Sequence, residues 1–203
     1  MLQLLTVCTG NVCRSPLAQL ILAQTLAGQG VEVSSAGTHP LIDAPIEAES
    51  ARLAREHGVP AAAIEAHRAR WLNESHLASP DLVLAMAREH RTAVVELAPA
   101  RLRSTFTMRE FARLATHVTD ADATATADAA GHDPSPRLAA LLAHLARLRS
   151  DVGPPDHADD DDVLDPYGRS SAAYDRMASE LMPALDQIAR IVAIATAADR
   201  WQA

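Results

Sequence analysis

The sequence predicts an α/β fold in which a parallel sheet carries helices on both faces. Three observations lead there. Short apolar runs of strand length recur at LQLLTV (2–7), VEVSS (31–35) and DLVLAM (81–86). Segments with helical spacing of apolar residues lie between them. A weak fourth strand at 104–107 runs into a T-x-x-E capping box, Thr107 to Glu110, that opens the apolar helix MREFARLA. Strands alternating with helices imply this architecture, and ligands then bind beyond the carboxyl ends of the strands. Cys8 sits at such an end.

The first strand hands over to a helix for which Ser15 is a good N-cap and Pro16 a good first residue, followed by Leu17, Leu20 and Ile21 at helical steps. Gly28-Gln29-Gly30 stops that helix, and AGTHP turns the chain after the second strand. A second helix is expected from about Pro45 to His57, ended by Gly58 and Pro60. Another follows the third strand across 88–97. From 116 to 162 the composition shifts. THVTDADATATADAAGHD is polar, Ala-rich and aperiodic and reads as a mobile loop. RLAALLAHLARLR (137–149) reads as an amphipathic helix, and GPPDHADDDD as an acidic linker. The last helix, about 170–199, carries Tyr174, Met177, Leu181, Leu185, Ile188 and Val192 on one face, with Pro183 expected to kink or divide it. The expected organisation is one domain, 1–203, with a partly flexible insertion at about 116–162.

The 203 residues are 48% apolar and only 3% aromatic, so the core must be built from Leu, Ala, Val and Ile. Net charge is −8, and every one of the 18 basic residues is arginine. That balance argues against sequence-independent nucleic-acid binding, which needs a basic face. The start lacks the basic region of a secretory signal, and no apolar stretch is long enough to span a membrane, so no membrane association and a cytoplasmic location are expected. Two cysteines make no disulfide framework, and no histidine pair has zinc-ligand spacing. Neither a metal nor another cofactor is expected.

Both cysteines lie in VCTGNVCRSP, residues 7–16. A loop over 8–14 between a strand and a helix can turn the main-chain N–H groups of Thr9, Gly10, Asn11, Val12 and Cys13 into one anion cavity, at the positive end of the helix. Arg14 adds a planar cation suited to two phosphate oxygens. Gly10 permits unusual dihedrals and Asn11 tolerates the left-handed region. These positive groups suit a thiolate at Cys8, which would lie under a bound phosphate as an in-line nucleophile. Ser15 could donate a hydrogen bond to the sulfur as it leaves. Cys13 either packs the loop or traps an oxidised Cys8 as a reversible disulfide.

A phosphate ester also needs its leaving oxygen protonated. The candidate acid is Asp165 in LDPYG, with Pro166 stiffening the loop, Gly168 ending it and Tyr167 placed to pack on an aromatic substrate. The acidic run Asp159 to Asp162 could bind a metal, but a solvated loop is the expected reading.

CTGNVCRSP, SSAGT, HRAR, DLVLAM, FTMREFARL and DPYG come in an order that resembles the low-molecular-weight protein tyrosine phosphatases, particularly bacterial ones. The resemblance covers 1–115 and about 160–195. It implies a flavodoxin-like three-layer sandwich with a four-stranded parallel sheet. It implies Cys8 as nucleophile forming a phosphocysteine, Arg14 as phosphate binder, and Asp165 as general acid and then base. It also implies that Asn11, Ser15, Ser35 and His67 hold the loop in shape. The implied partners are phosphotyrosine-containing proteins, among them a bacterial tyrosine kinase. Where some members carry an aromatic on the pocket wall, this chain has His39, Leu41 and Ile42.

Two competing functions use the same loop. A low-molecular-weight-thiol-coupled arsenate reductase would need it because arsenate mimics phosphate; the thioredoxin-coupled version fails because no cysteine follows Cys13. A non-catalytic phosphate- or phosphotyrosine-binding module would use the cavity without the nucleophile.

Overall fold

Leu2–Cys8 alternates its side chains between two apolar layers and forms the central strand β1 of the computed structural model, which describes residues 1–197. Helix α1 (Arg14–Thr25) returns the chain to β2 (Val31–Gly37), which pairs in parallel with β1 from Leu2↔Val31 to Cys8↔Gly37. Three short helices follow, α2 (Ala48–Glu56), α3 (Ala61–Ala66) and α4 (Glu74–Leu77). The strand β3 (Leu82–Ala85) then pairs with the other edge of β1. After α5 (Arg88–Leu97), the short β4 (Thr105–Thr107) completes a parallel sheet in the order β2-β1-β3-β4. The chain continues through α6 (Met108–Ala115), α7 (Asp120–Asp128), α8 (Pro134–Val152) and α9 (Ser171–Thr196).

The pleat divides the core. Leu2, Leu4, Leu82, Leu84 and Phe106 join the larger cluster, with apolar residues of α1, α6, α8 and α9. Leu5, Val7 and Val83 face the smaller one, with Leu77 and Val94. The parallel α/β architecture expected from the sequence is therefore present. From β1 the chain crosses to β2 on one side; from β3 it crosses to β4 on the other. The crevice of this order reversal lies at the carboxyl ends of β1 and β3.

Five local expectations change. Helix α1 starts at Arg14 with Cys13 as N-cap, and no side chain caps it. Ser15 is buried inside the first turn because its hydroxyl is engaged elsewhere, and Pro16 still falls where no N–H is needed. The stretch read as a mobile loop contains α7, capped by Thr119, whose Oγ1 accepts from the Asp122 N–H at 3.1 Å. Its buried contacts come from Ala123 and Ala127, too small to give an apolar period. Pro183 does not divide α9, which is assigned unbroken. Ser179, whose carbonyl loses its intrahelical donor, is exposed, as is Pro183, so water can serve that oxygen. The second helix is shorter than expected, and α8 longer. Of the last helix as expected, 198–199 lie outside the described residues.

Helix α8 is tied to the sheet through Arg149. Its guanidinium lies 4.4 Å from the centre of the Phe106 ring and its Nε donates to Glu110 at 2.8 Å.

Candidate active site

The loop from Cys8 to Arg14 closes on its own first residue. The Asn11 N–H donates to Cys8 Sγ at 3.3 Å, and Ser15 Oγ lies 3.0 Å from the same sulfur. Asn11 takes φ 54°, a left-handed conformation that asparagine tolerates better than most residues. Among the described residues, the N–H groups of Thr9, Gly10, Val12 and Cys13 donate to no main-chain carbonyl. They sit between the end of β1 and the start of α1, where the helix dipole favours negative charge.

A buried polar network holds that shape. Asn11 Nδ2 donates to Ser15 Oγ at 2.9 Å and to Ser35 Oγ at 2.8 Å, while its Oδ1 accepts from the Arg70 N–H at 2.9 Å. His67 Nε2 lies 2.8 Å from the Asn11 carbonyl; a carbonyl only accepts, so Nε2 carries the proton. Burial pushes the His67 pKa down, which keeps the ring neutral. Helix α3 supplies the residues between Gly58 and HRAR that deliver His67 to this place. Asn11, Ser15, Ser35 and His67 are thus brought together around one loop. Gly37 completes the enclosure. A Cβ built there would lie 2.5 Å from the Thr9 carbonyl oxygen, so only glycine lets β2 pass this close.

Cys13 takes no part in the hydrogen bonds around the Cys8 sulfur. It is buried, and its Sγ lies 3.5 Å from Tyr174 Oη on α9. Burial pushes its thiol pKa up to about 12. Both thiols are free.

Asp165 arrives from the far end of the chain on a segment anchored at nearly every residue. Asp161 is buried and takes Arg113 Nε and Nη2 at 3.1 and 2.8 Å, and its carbonyl accepts from Thr107 Oγ1 at 2.7 Å. Asp162 accepts from the N–H and guanidinium of Arg88. Val163 N–H donates to the Met86 carbonyl at 2.7 Å. The second half of the acidic run is therefore a paired anchor, because arginines 113 and 88 meet the carboxylates of Asp161 and Asp162, while Asp159 and Asp160 are exposed as a solvated loop would be. No metal-binding cluster of His, Cys, Asp and Glu occurs among the described residues. The anchored segment presents Asp165 Oδ2 to Arg14 Nη2 at 2.6 Å, while Oδ1 accepts the Tyr167 N–H at 3.1 Å.

Cys8, Arg14 and Asp165 all line one cavity of about 150 Å³. Thr9, Gly10, Val12 and Cys13 form its floor, and His39, Leu41 and Tyr167 its wall and mouth. Tyr167 is 53% exposed at the rim.

A family model described as low molecular weight phosphotyrosine protein phosphatase matches residues 3–125. The chain belongs to that family. Among its relatives, low molecular weight protein-tyrosine-phosphatase Etp of Escherichia coli K12 is 43% identical over 96 residues, 47% of this chain and 62% of its own. The chain thus covers less than two thirds of that relative. A protein-arginine-phosphatase of Geobacillus stearothermophilus is 36% identical over 109 residues, 54% of this chain and 70% of its own. The crystal structure of a low molecular weight protein tyrosine phosphatase from T. tengcongensis superposes with a TM-score of 0.63 at 29% identity, covering 93% of this chain and 97% of that one.

The family match contains the Cys8–Arg14 loop and stops before Asp165, which the structure brings back to it. Two residues at this family site escaped sequence reasoning. Arg70, inside the quoted HRAR, donates its Nε to the Ser35 carbonyl at 2.7 Å and so clamps the loop from β2. His90, on the first turn of α5, is 1% exposed with Nε2 2.8 Å from Thr9 Oγ1. The one sequence signal for His90 was its position just past the carboxyl end of a strand.

Among the described residues, no helix is long and apolar enough to cross a membrane.

Proposed function

We propose that this chain is a cysteine-dependent phosphatase that hydrolyses phosphotyrosine monoesters in proteins through a phosphocysteine intermediate. The observation that carries the reading is the meeting of Cys8, Arg14 and Asp165 at one cavity whose floor is a ring of N–H groups without main-chain acceptors.

The substrate phosphate enters over Cys8 and takes the Arg14 guanidinium from Asp165. Its oxygens accept from the loop N–H groups, which are already fixed in place when charge develops on the phosphoryl oxygens. The Cys8 thiolate forms a bond to phosphorus as the aryl P–O bond breaks, and protonated Asp165 gives its proton to the departing oxygen, releasing phenol. Water then attacks the phosphocysteine. Asp165 accepts its proton, the S–P bond breaks, and Ser15 Oγ, 3.0 Å from the sulfur, donates to the returning thiolate. The net reaction is ester plus water to phenol plus phosphate, with no metal in any step.

Leu41, His39 and the exposed ring of Tyr167 suit an aryl group at the mouth. The relatives named as protein-tyrosine-phosphatases support phosphotyrosine proteins as substrates. A tyrosine kinase carrying such groups is the proposed partner. The test is hydrolysis of an aryl phosphate in EDTA by wild type and Cys8→Ser, with phosphoarginine and arsenate plus a small thiol as competing substrates. Turnover of the aryl ester alone, lost in the variant, is expected. Metal-dependent turnover that survives the substitution would overturn the reading.

A further inference from the structure

We propose that His90 is a positioning residue for oxyanion binding: acting through Thr9, it sets the Arg14 guanidinium in the orientation from which it takes a phosphate.

His90 sits on α5 at the carboxyl end of β3, on the opposite side of the crevice from the loop. Its Nε2 lies 2.8 Å from Thr9 Oγ1, and the same oxygen accepts from Arg14 Nη2 at 3.4 Å. In either ring tautomer, Thr9 Oγ1 is pinned between imidazole and guanidinium. The other fixed partner of Arg14 is the Val163 carbonyl, 3.2 Å from Nη1. When an anion displaces Asp165, Thr9 is the protein group left holding Nη2. Thr9 otherwise has a hydroxyl free to rotate, and His90 is what stops it.

The rest of the ring argues against a packing role alone. Nδ1 is buried without a partner, a cost that an apolar side chain of similar volume would avoid. A local rule broken beside a binding cavity is expected where a site needs a particular group. The ring must also be neutral, because an imidazolium would repel the guanidinium it positions. Burial, and then the charge of Arg14, push its pKa down to about 4. Asp165 and Asp162 act in the opposite sense, and exposed Glu89 approaches Nε2 at 3.4 Å, yet the balance leaves a neutral ring at neutral pH.

The inference rests on the phosphatase reading only for the identity of the anion, so the deciding measurement is equilibrium binding of inorganic phosphate by calorimetry. His90→Phe fills the volume without the nitrogen and is expected to weaken binding about tenfold. Thr9→Val is expected to do likewise. The double variant should be far from additive, near tenfold rather than a hundredfold, because both changes break one chain of contacts. His90→Gln, whose amide reaches the Nε2 position, should restore most of the affinity, and His90→Asn, which reaches only the Nδ1 position, should not. Thermal unfolding checks that each variant is folded. If His90→Phe does not fold, the Gln and Asn pair carries the comparison. Additive losses, or equal affinity for Gln and Asn variants, would overturn the positioning role. If phosphate binding follows this pattern while wild type turns over no aryl phosphate, the phosphatase reading fails and the positioning role stands.

Discussion

Arg14 Nη2 and Asp165 Oδ2 lie 2.6 Å apart, so the group that would bind phosphate and the group that would protonate the leaving oxygen occupy each other in the unliganded site. Arg14 is 4% exposed and Asp165 46%, so the exposed partner is the one free to move away. Substrate binding is then an exchange in which one anion replaces another on the same guanidinium.

Asp165→Asn tests that exchange. It removes the competing carboxylate and the proton donor together. Inorganic phosphate should bind more tightly, while kcat for an aryl phosphate with a poor leaving group falls by about 10²–10⁴. Unchanged kcat across leaving groups of different pKa would remove Asp165 from the acid role.

Asn11 joins loop conformation to loop support. Asn11→Ala leaves Ser15, Ser35 and the Arg70 N–H short of partners in a buried setting and should cost about 3 kcal/mol in urea unfolding. Asn11→Gly separates the two roles, since glycine accepts φ 54° freely. If Gly restores full stability, dihedral strain and not the network is what Asn11 supplies.

Gly37→Ala places a methyl group against the Thr9 carbonyl, which is backbone and cannot rotate aside. The loop must shift, so phosphate affinity should drop with a loss of about 1–3 kcal/mol in stability. A crystal structure of the variant with an undisplaced Thr9 would contradict this.

Acid should weaken the fold through His90. Its pKa lies near 4 in the folded protein, against 6.5 for the free side chain. From pH 6.5 down to about 4 the unfolded chain therefore binds a proton that the folded one refuses. Stability falls across that window by up to roughly 3 kcal/mol and is present in full above it. His67, also shifted down, adds in the same direction. In His90→Gln the His90 contribution disappears, so the stability gap between wild type and variant should narrow on going from pH 7 to pH 4.5 in urea titrations.

The opening loop was legible because its chemistry is local: nucleophile, cation and helix start fall within nine residues of one another in the sequence. Thr107 and Glu110 were legible for the same reason, and the structure makes both bonds of their capping box. What escaped was carried by distant pairs. His90 looks like any surface histidine of REHR until β3 lies beside β1. Asp161 and Asp162 looked solvated because their partners lie far off in the sequence, Arg113 two helices before Asp161 and Arg88 three before Asp162. Helix α7 was missed because alanines pack without leaving an apolar stripe, although Thr119 and Asp122 marked its start.

Arg113 has a consequence for how this chain can be altered. Its carbonyl accepts from Thr116 Oγ1 at 2.7 Å where the chain leaves α6, and its Nη1 donates to the Gly153 carbonyl at 3.0 Å where the chain comes back. Departure and return thus meet at a single residue, through its carbonyl and its guanidinium, and the guanidinium also grips Asp161. Whatever lies between them is a closed detour, and its length does not enter the position of Asp165. That makes the exposed turn at His132 and Asp133, between α7 and α8, a grafting point, where foreign sequence could be spliced in while nucleophile and acid keep their separation.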